Sequence, residues 1–263
     1  MRFASLGSGS EGNALIVEAG RGATRVMLDC GFGLRECEKR LAHAGLVPAD
    51  LAAILVTHEH SDHVGGVARF ARKHGLAVFM THGTYVAAGL GGPGAFQAPL
   101  DFELTLIDTH TPFAIGDLEV LPFPVPHDAR EPVQFVFQDG AARLGVLTDL
   151  GASTPHVEAM LSGCDALVLE CNHDAAMLAA GPYPPALRAR VGGNYGHLEN
   201  GQAASLLARV AHSGLRHVLA AHLSSRNNTP GLAQEALAGA LGCAPQDIGI
   251  ADQVQGFDWR ALG

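Results

Sequence analysis

A chain of 263 residues with 48% hydrophobic content, 33 glycines and 14 prolines can fill a substantial core, and it is expected to form a single loop-rich domain over 1–263. Its net charge of −9 excludes a broad non-specific grip on nucleic acid, and no run approaches the roughly 18 apolar residues that a membrane span needs. Five cysteines (Cys30, Cys37, Cys164, Cys171, Cys243) without a CxxC pair exclude a disulfide framework and a thiolate zinc finger; together with a first segment that lacks a long apolar h-region, they lead to the expectation of a cytoplasmic protein.

Short strand-like runs are expected at 2–6, 14–18 and 24–28, followed by a helix over 34–44 and a buried strand at 53–57. A helical pattern then runs to His74, and the glycine-rich stretch 89–94 is expected to be a loop bordering the site. Further strands are expected at 103–107, 118–125, 133–138, 144–147, 166–170 and 217–220, with helices at 155–161, 199–211 and 232–241. Strand clusters in both halves with helices outside them suggest two packed sheets between helical layers.

The segment His58-Glu59-His60-Ser61-Asp62-His63 places three imidazoles and a carboxylate at the end of an apolar strand. With 14 histidines in the chain, chance yields only about 0.002 matches to His-x-His-x-Asp-His, so the run is read as metal-binding. In an extended turn His58 and His60 face one way, while Asp62 and His63 begin the next element and face a second centre. Two metals need more ligands, and ionisable residues stand where other apolar runs end: Asp29, His127, Asp149 and His222. Taken singly, each has an ordinary reading, as a turn cap for the aspartates and a hydrogen-bonded loop residue for the histidines.

In their order along the chain these residues resemble the motifs of the metallo-β-lactamase superfamily. The start Leu6-Gly7-Ser8-Gly9-Ser10-Glu11-Gly12-Asn13, together with Glu170-Cys171-Asn172-His173-Asp174 and Gly196-His197-Leu198, resembles the YycJ/WalJ branch. The His222-Leu223-Ser224-Ser225-Arg226 segment is similar to the corresponding motif of RNase Z. The resemblance implies an α/β fold of four layers, an αβ/βα sandwich of two mixed sheets flanked by helices. It implies that His58, His60 and His127 hold one divalent ion, that Asp62, His63 and His222 hold another, and that Asp149 bridges them. Asp29 would orient the histidine turn from outside.

The implied activity is metal-dependent hydrolysis of a phosphodiester in nucleic acid or a small molecule, 5′-to-3′ exonuclease-like, by a hydroxide shared between two ions of zinc or manganese, with iron also accommodated. Asp62 and His197 are the candidate catalytic residues, His197 as proton donor. Asn172, His173 and Arg226 are candidate substrate contacts. The alternative is thioester or lactone hydrolysis of the glyoxalase II or lactonase type. The branch commonly reads Gly-His-Leu-Ser-Asn where this chain has Glu199, a carboxylate that would repel a phosphate if it faced the pocket. Five arginines and one acid between 181 and 230 make that segment +4, a possible anion-receptive face.

Overall fold

In a computed structural model the described residues are 1–90 and 101–263. The part of the expected 89–94 loop from 91 onward lies outside the described residues. The first half contributes β1 (Arg2–Gly7), β2 (Ala14–Ala19), β3 (Thr24–Leu28), α1 (Leu34–His43), β4 (Ala53–Leu55), α2 (Ser61–Val64), α3 (Val67–His74), β5 (Ala77–Thr81), α4 (His82–Ala87) and β6 (Leu104–Ile107). There follow β7 (Phe113–Ile115), β8 (Leu118–Pro124), β9 (Val133–Gln138), β10 (Arg143–Leu147), α5 (Pro155–Leu161), β11 (Ala166–Glu170), α6 (Ala175–Ala180), α7 (Pro185–Val191), α8 (Asn200–Val210), β12 (His217–Ala221), α9 (Pro230–Leu241), β13 (Gly249–Ile250) and β14 (Phe257–Ala261).

The strands form two seven-stranded sheets, ordered β14-β1-β2-β3-β4-β5-β6 and β13-β12-β11-β10-β9-β8-β7. Each is mixed: β3 to β6 run parallel in the first and β10 to β13 in the second, while the remaining pairs are antiparallel. Side chains alternate across a strand, so each sheet has two apolar faces to cover. Leu144 and Val146 of β10 and Ala166 and Val168 of β11 join Val17, Val26 and Leu55 in a core between the sheets. Their neighbours Leu147, Leu167 and Leu169 face outward to α5, α8 and α9. On the other side Ile16, Met27 and Ile54 meet Cys37 and Leu41 of α1 and Phe70 of α3. The result is the expected helix-sheet-sheet-helix layering.

The helical pattern through His74 is two helices rather than one, because the chain breaks at Gly65 and Gly66. Gly66 donates to the Cys30 carbonyl at 2.7 Å, and a Cβ there would sit 2.0 Å from the Phe32 carbonyl oxygen. Only glycine permits that approach.

Candidate metal centre

Five of the ionisable residues expected at the site lie just beyond the carboxyl end of a strand, along one edge of the sandwich: Asp29 after β3, His58 after β4, His127 after β8, Asp149 after β10, and His222 after β12; Asp62 and His63 lie in α2, and His197 between α7 and α8. Parallel strands that share a direction deliver their ends to one edge, which is why the chain can gather them there. Three of them are bent into the left-handed region, Asp29 at φ 60°, Asp149 at φ 57° and His222 at φ 54°, and these are the non-glycine residues with positive φ among the described residues. Such conformations are strained and persist where the surroundings enforce them, so the strain in this fold is concentrated at this edge.

The donor atoms gather into overlapping sets, each with its atoms within 4.8 Å of one another. One set is His58, His60 and His127, a second is Asp62, His63 and His222, a third joins Asp149 to His58 and His63, and a fourth joins Asp149 and His222 to Glu170 and His197. Asp149 stands between the sets, with Oδ1 3.8 Å from His127 Nε2 and 3.6 Å from His222 Nε2, and Oδ2 3.0 Å from His63 Nε2. His58 Nε2 and Asp149 Oδ2 are buried without hydrogen-bonding geometry to any described group. Buried polar atoms of a native fold are normally satisfied, so orphaned atoms converging on one space fit a cation.

Electrostatics point the same way. Burial disfavours a charged His222, yet Asp149, Asp62 and Glu170 raise its pKa to about 10. Burial likewise opposes charge on His63, but Asp149 and Asp29 raise it well above the ordinary value. Positive charge is drawn to this edge by buried carboxylates. His58 moves down instead, through its burial and then its neighbours His63, His127 and His60.

Surrounding groups fix the rings. Asp29 Oδ2 lies 2.8 Å from His63 Nδ1 and its carboxylate also accepts the Thr57 N–H at 2.8 Å. Thr57 Oγ1 is 3.0 Å from His58 Nδ1, and the Gly196 carbonyl is 3.0 Å from His127 Nδ1. The N-terminal glycine-rich stretch is wedged beneath: Asn13 Nδ2 reaches the Asp62 carbonyl and stands 3.1 Å from His63 Nε2, while Ser8 Oγ accepts the His222 N–H at 3.0 Å.

The residues expected around the ligands divide by location. His197 is at the centre, its Nδ1 3.4 Å from Asp149 Oδ1 and its ring stacked on His222 at 5.3 Å. Asn172 is buried, and its amide donates to the His222 carbonyl at 3.0 Å, so its side chain braces a ligand segment. His173 is buried next to it, with Nδ1 3.2 Å from Asn172 Oδ1. Arg226 is exposed on the segment after His222. Glu199 stands at the N-cap of α8 and its N–H donates to Gln202. Its Oε1 would lie 2.9 Å from a Cβ on Gly201, so the carboxylate folds over its own helix start.

Glu170, quoted above only as the first residue of the Glu170-Cys171-Asn172-His173-Asp174 motif and given no role there, belongs to the site. It is fully buried at the end of β11, where its carboxylate accepts the N–H groups of Leu150 (2.7 Å) and Leu198 (3.1 Å) and lies 2.7 Å from His197 Nδ1. The available signal was an acid closing a five-residue apolar strand.

A family model described as Beta-lactamase superfamily domain matches residues 24–222. Exodeoxyribonuclease YycJ of Bacillus anthracis is 34% identical over 98% of this chain and 96% of its own length. Exodeoxyribonuclease WalJ of Streptococcus pneumoniae serotype 2 is 30% identical over 95% and 91%. Among solved structures, Zn²⁺-bound PqqB from Methylobacterium extorquens superposes with a TM-score of 0.76 over 99% of this chain and all of its own, at 16% identity. With the ordered ligand residues brought to one edge of a four-layer sandwich, the chain belongs to the metallo-β-lactamase superfamily, in its YycJ/WalJ branch.

Proposed function

We propose that this protein is a two-metal phosphodiesterase that removes nucleotides from the 5′ end of DNA. The observation that carries the reading is the pair of three-residue donor sets with Asp149 between them and His197 at their edge. The two full-length relatives named as exodeoxyribonucleases support the choice of a DNA phosphodiester.

His58, His60 and His127 would hold one ion and Asp62, His63 and His222 the other, with Asp149 available to both. Nitrogen and oxygen donors of this kind suit zinc or manganese. When bound, the ions supply a water of lowered pKa and neutralise phosphate charge. Asp62, more exposed than Asp149, is the carboxylate that would accept a hydrogen bond from such a water. Because Glu170 occupies His197 Nδ1, the proton for the leaving alkoxide comes from His197 Nε2. Asn172 keeps the His222 segment in place, His173 backs it, and Arg226 meets a phosphate further along the strand. Among the described residues no helix is long and apolar enough to cross a membrane. Four buried cysteines, with the sulfurs of Cys30 and Cys37 unbridged at 3.7 Å, fit a reducing, cytoplasmic setting.

The test is a 5′-phosphorylated, labelled DNA duplex and its RNA counterpart, offered to manganese-loaded protein with Asp149→Ala as control. Stepwise loss of 5′ nucleotides from DNA, absent in the control, is expected. No cleavage of either polymer with metals in place, or a thioester preferred to a phosphodiester reporter by orders of magnitude in kcat/KM, would overturn the reading.

A further inference from the structure

The loop between α7 and His197 carries an aromatic side chain that the fold leaves outside. Tyr195 is 65% exposed. A single exposed aromatic is ordinary on a protein surface, but the backbone beneath this one is tied to the metal centre from both sides. The Tyr195 carbonyl accepts the Asp128 N–H at 2.9 Å, next to His127. One residue later, the Gly196 carbonyl lies 3.0 Å from His127 Nδ1. From the other side Gly151, two residues after Asp149, is pressed against the loop so closely that a Cβ would sit 2.2 Å from the Asn194 carbonyl oxygen and 2.4 Å from Tyr195 N. The His197 N–H donates back to the Val191 carbonyl at 2.8 Å. The loop is therefore a fixed mount, with its aromatic ring in solvent two residues from His197.

The cation beside it belongs to the same mount. Arg190, at the end of α7, has a 61% exposed side chain whose Nε contacts Asp128 Oδ2 at 2.5 Å, the residue that holds Tyr195. Arg188, two residues earlier, points from the opposite face of that helix and donates from Nη1 to the Ala179 carbonyl, so Arg190 alone stands on this side. A fixed, exposed aromatic with one exposed guanidinium anchored beside it matches what a single-stranded nucleic acid requires, a face for a base and a charge near its phosphate.

We propose that Tyr195 is the base-stacking platform of this enzyme, holding a nucleobase of the strand next to the scissile phosphate. The proposal rests on the phosphodiesterase reading and names how that site would engage its polymer. Stacking accepts any base, so Tyr195 gives grip without sequence preference.

The experiment measures binding of labelled phosphorothioate single strands to the metal-loaded wild type, Tyr195→Phe and Tyr195→Ala by fluorescence anisotropy. An abasic site is stepped through the 5′-terminal positions. Tyr195→Ala should weaken binding by about 5- to 150-fold, the range for one base-aromatic stack, and Tyr195→Phe should hold within about 2-fold. One abasic position should weaken the wild type by the same factor and add nothing to Tyr195→Ala. Equal binding by Tyr195→Ala and wild type, or an abasic penalty that survives in Tyr195→Ala, would overturn the assignment. Failure of the wild type to bind or cleave any oligonucleotide would instead overturn the phosphodiesterase reading itself.

Discussion

His197 Nδ1 lies 2.7 Å from Oε1 of Glu170, a carboxylate with no exposed surface. Burial pushes the Glu170 carboxyl up, yet the His197 charge and hydrogen bonds from His197 and His222 hold it down at about 2. The pair is thus a buried anion gripping one nitrogen of a ring whose other nitrogen is left for the pocket, an arrangement that fixes tautomer as well as direction.

If Glu170 acts through His197, the two substitutions cannot add. His197→Ala should lower kcat by ~100-fold with both metals retained, the usual worth of a general acid. Glu170→Gln should cost between ~10- and ~100-fold, and the double variant no more than His197→Ala alone. Single-turnover rates on a 5′-phosphorylated duplex, with metal content measured alongside, decide this. Multiplicative losses would mean that Glu170 serves the enzyme by some other route.

Asp29 is the corresponding anchor on the opposite side, its carboxylate shared between His63 Nδ1 and the Thr57 N–H. Asn at this position keeps the shape, tolerates φ 60° and can still accept a hydrogen bond, but it loses the charge. Asp29→Asn should weaken metal affinity by roughly 10- to 100-fold while leaving the circular dichroism spectrum unchanged. Calorimetric titration of the metal-free protein with zinc is the check, and an unchanged Kd would remove Asp29 from the ligand-orienting network.

The candidate ligand residues were legible by their order and not singly: an ionisable side chain closing an apolar strand also reads as a turn cap or a loop hydrogen bond, but the chain repeats the feature at Asp29, His58, His127, Asp149 and His222. Glu170 obeys the same rule, yet its partner is 27 residues away at His197 and only the fold joins them. The two sheets were legible where both strand faces are apolar, as in β10 and β11. They were not at β14, whose Phe-Asp-Trp-Arg-Ala pattern is half-exposed and whose place beside β1 is set by pairing across the whole chain. β5, β7 and β13 were missed as well, two of them because runs of two or three residues carry no period. The glycine break between α2 and α3 is invisible to periodicity because it answers to the Phe32 carbonyl, not to its neighbours in sequence.

Glu18 gives a pH dependence remote from the metal centre. On β2 it is buried between Arg2 of β1 and Arg25 of β3, with contacts at 2.5 and 2.6 Å. Burial pushes its carboxyl up, but the hydrogen bonds from Arg2 and Arg25 outweigh this and hold it below 4.5. A depressed carboxyl pKa stabilises the fold above the unfolded value and loses that contribution as pH falls through the folded one. Glu18→Gln should therefore cost about 1–2 kcal/mol at pH 7, kept modest because Arg2 is partly exposed. The gap from wild type should close below pH 4.5. Urea denaturation at pH 7, 5 and 3.5 tests it, and a gap independent of pH would show that Glu18 contributes by packing alone.

Gly151 tests whether the loop carrying His197 is held from below. A methyl at this position would stand 2.2 Å from the Asn194 carbonyl oxygen, and backbone cannot rotate away as a side chain can. Gly151→Ala must therefore lift the 192–197 loop or displace the Asp149 turn. If the loop yields, stability falls by about 1–3 kcal/mol, the cost of overpacking, and zinc content is unchanged because Asp149 has not moved. Turnover still drops by ~10- to 100-fold, since a shift near 1 Å at His197 spoils proton delivery. If the Asp149 turn yields instead, metal content falls together with activity. Metal analysis of the purified variant beside its kcat separates the two, and wild-type values for both would show that the loop is too soft for its geometry to matter.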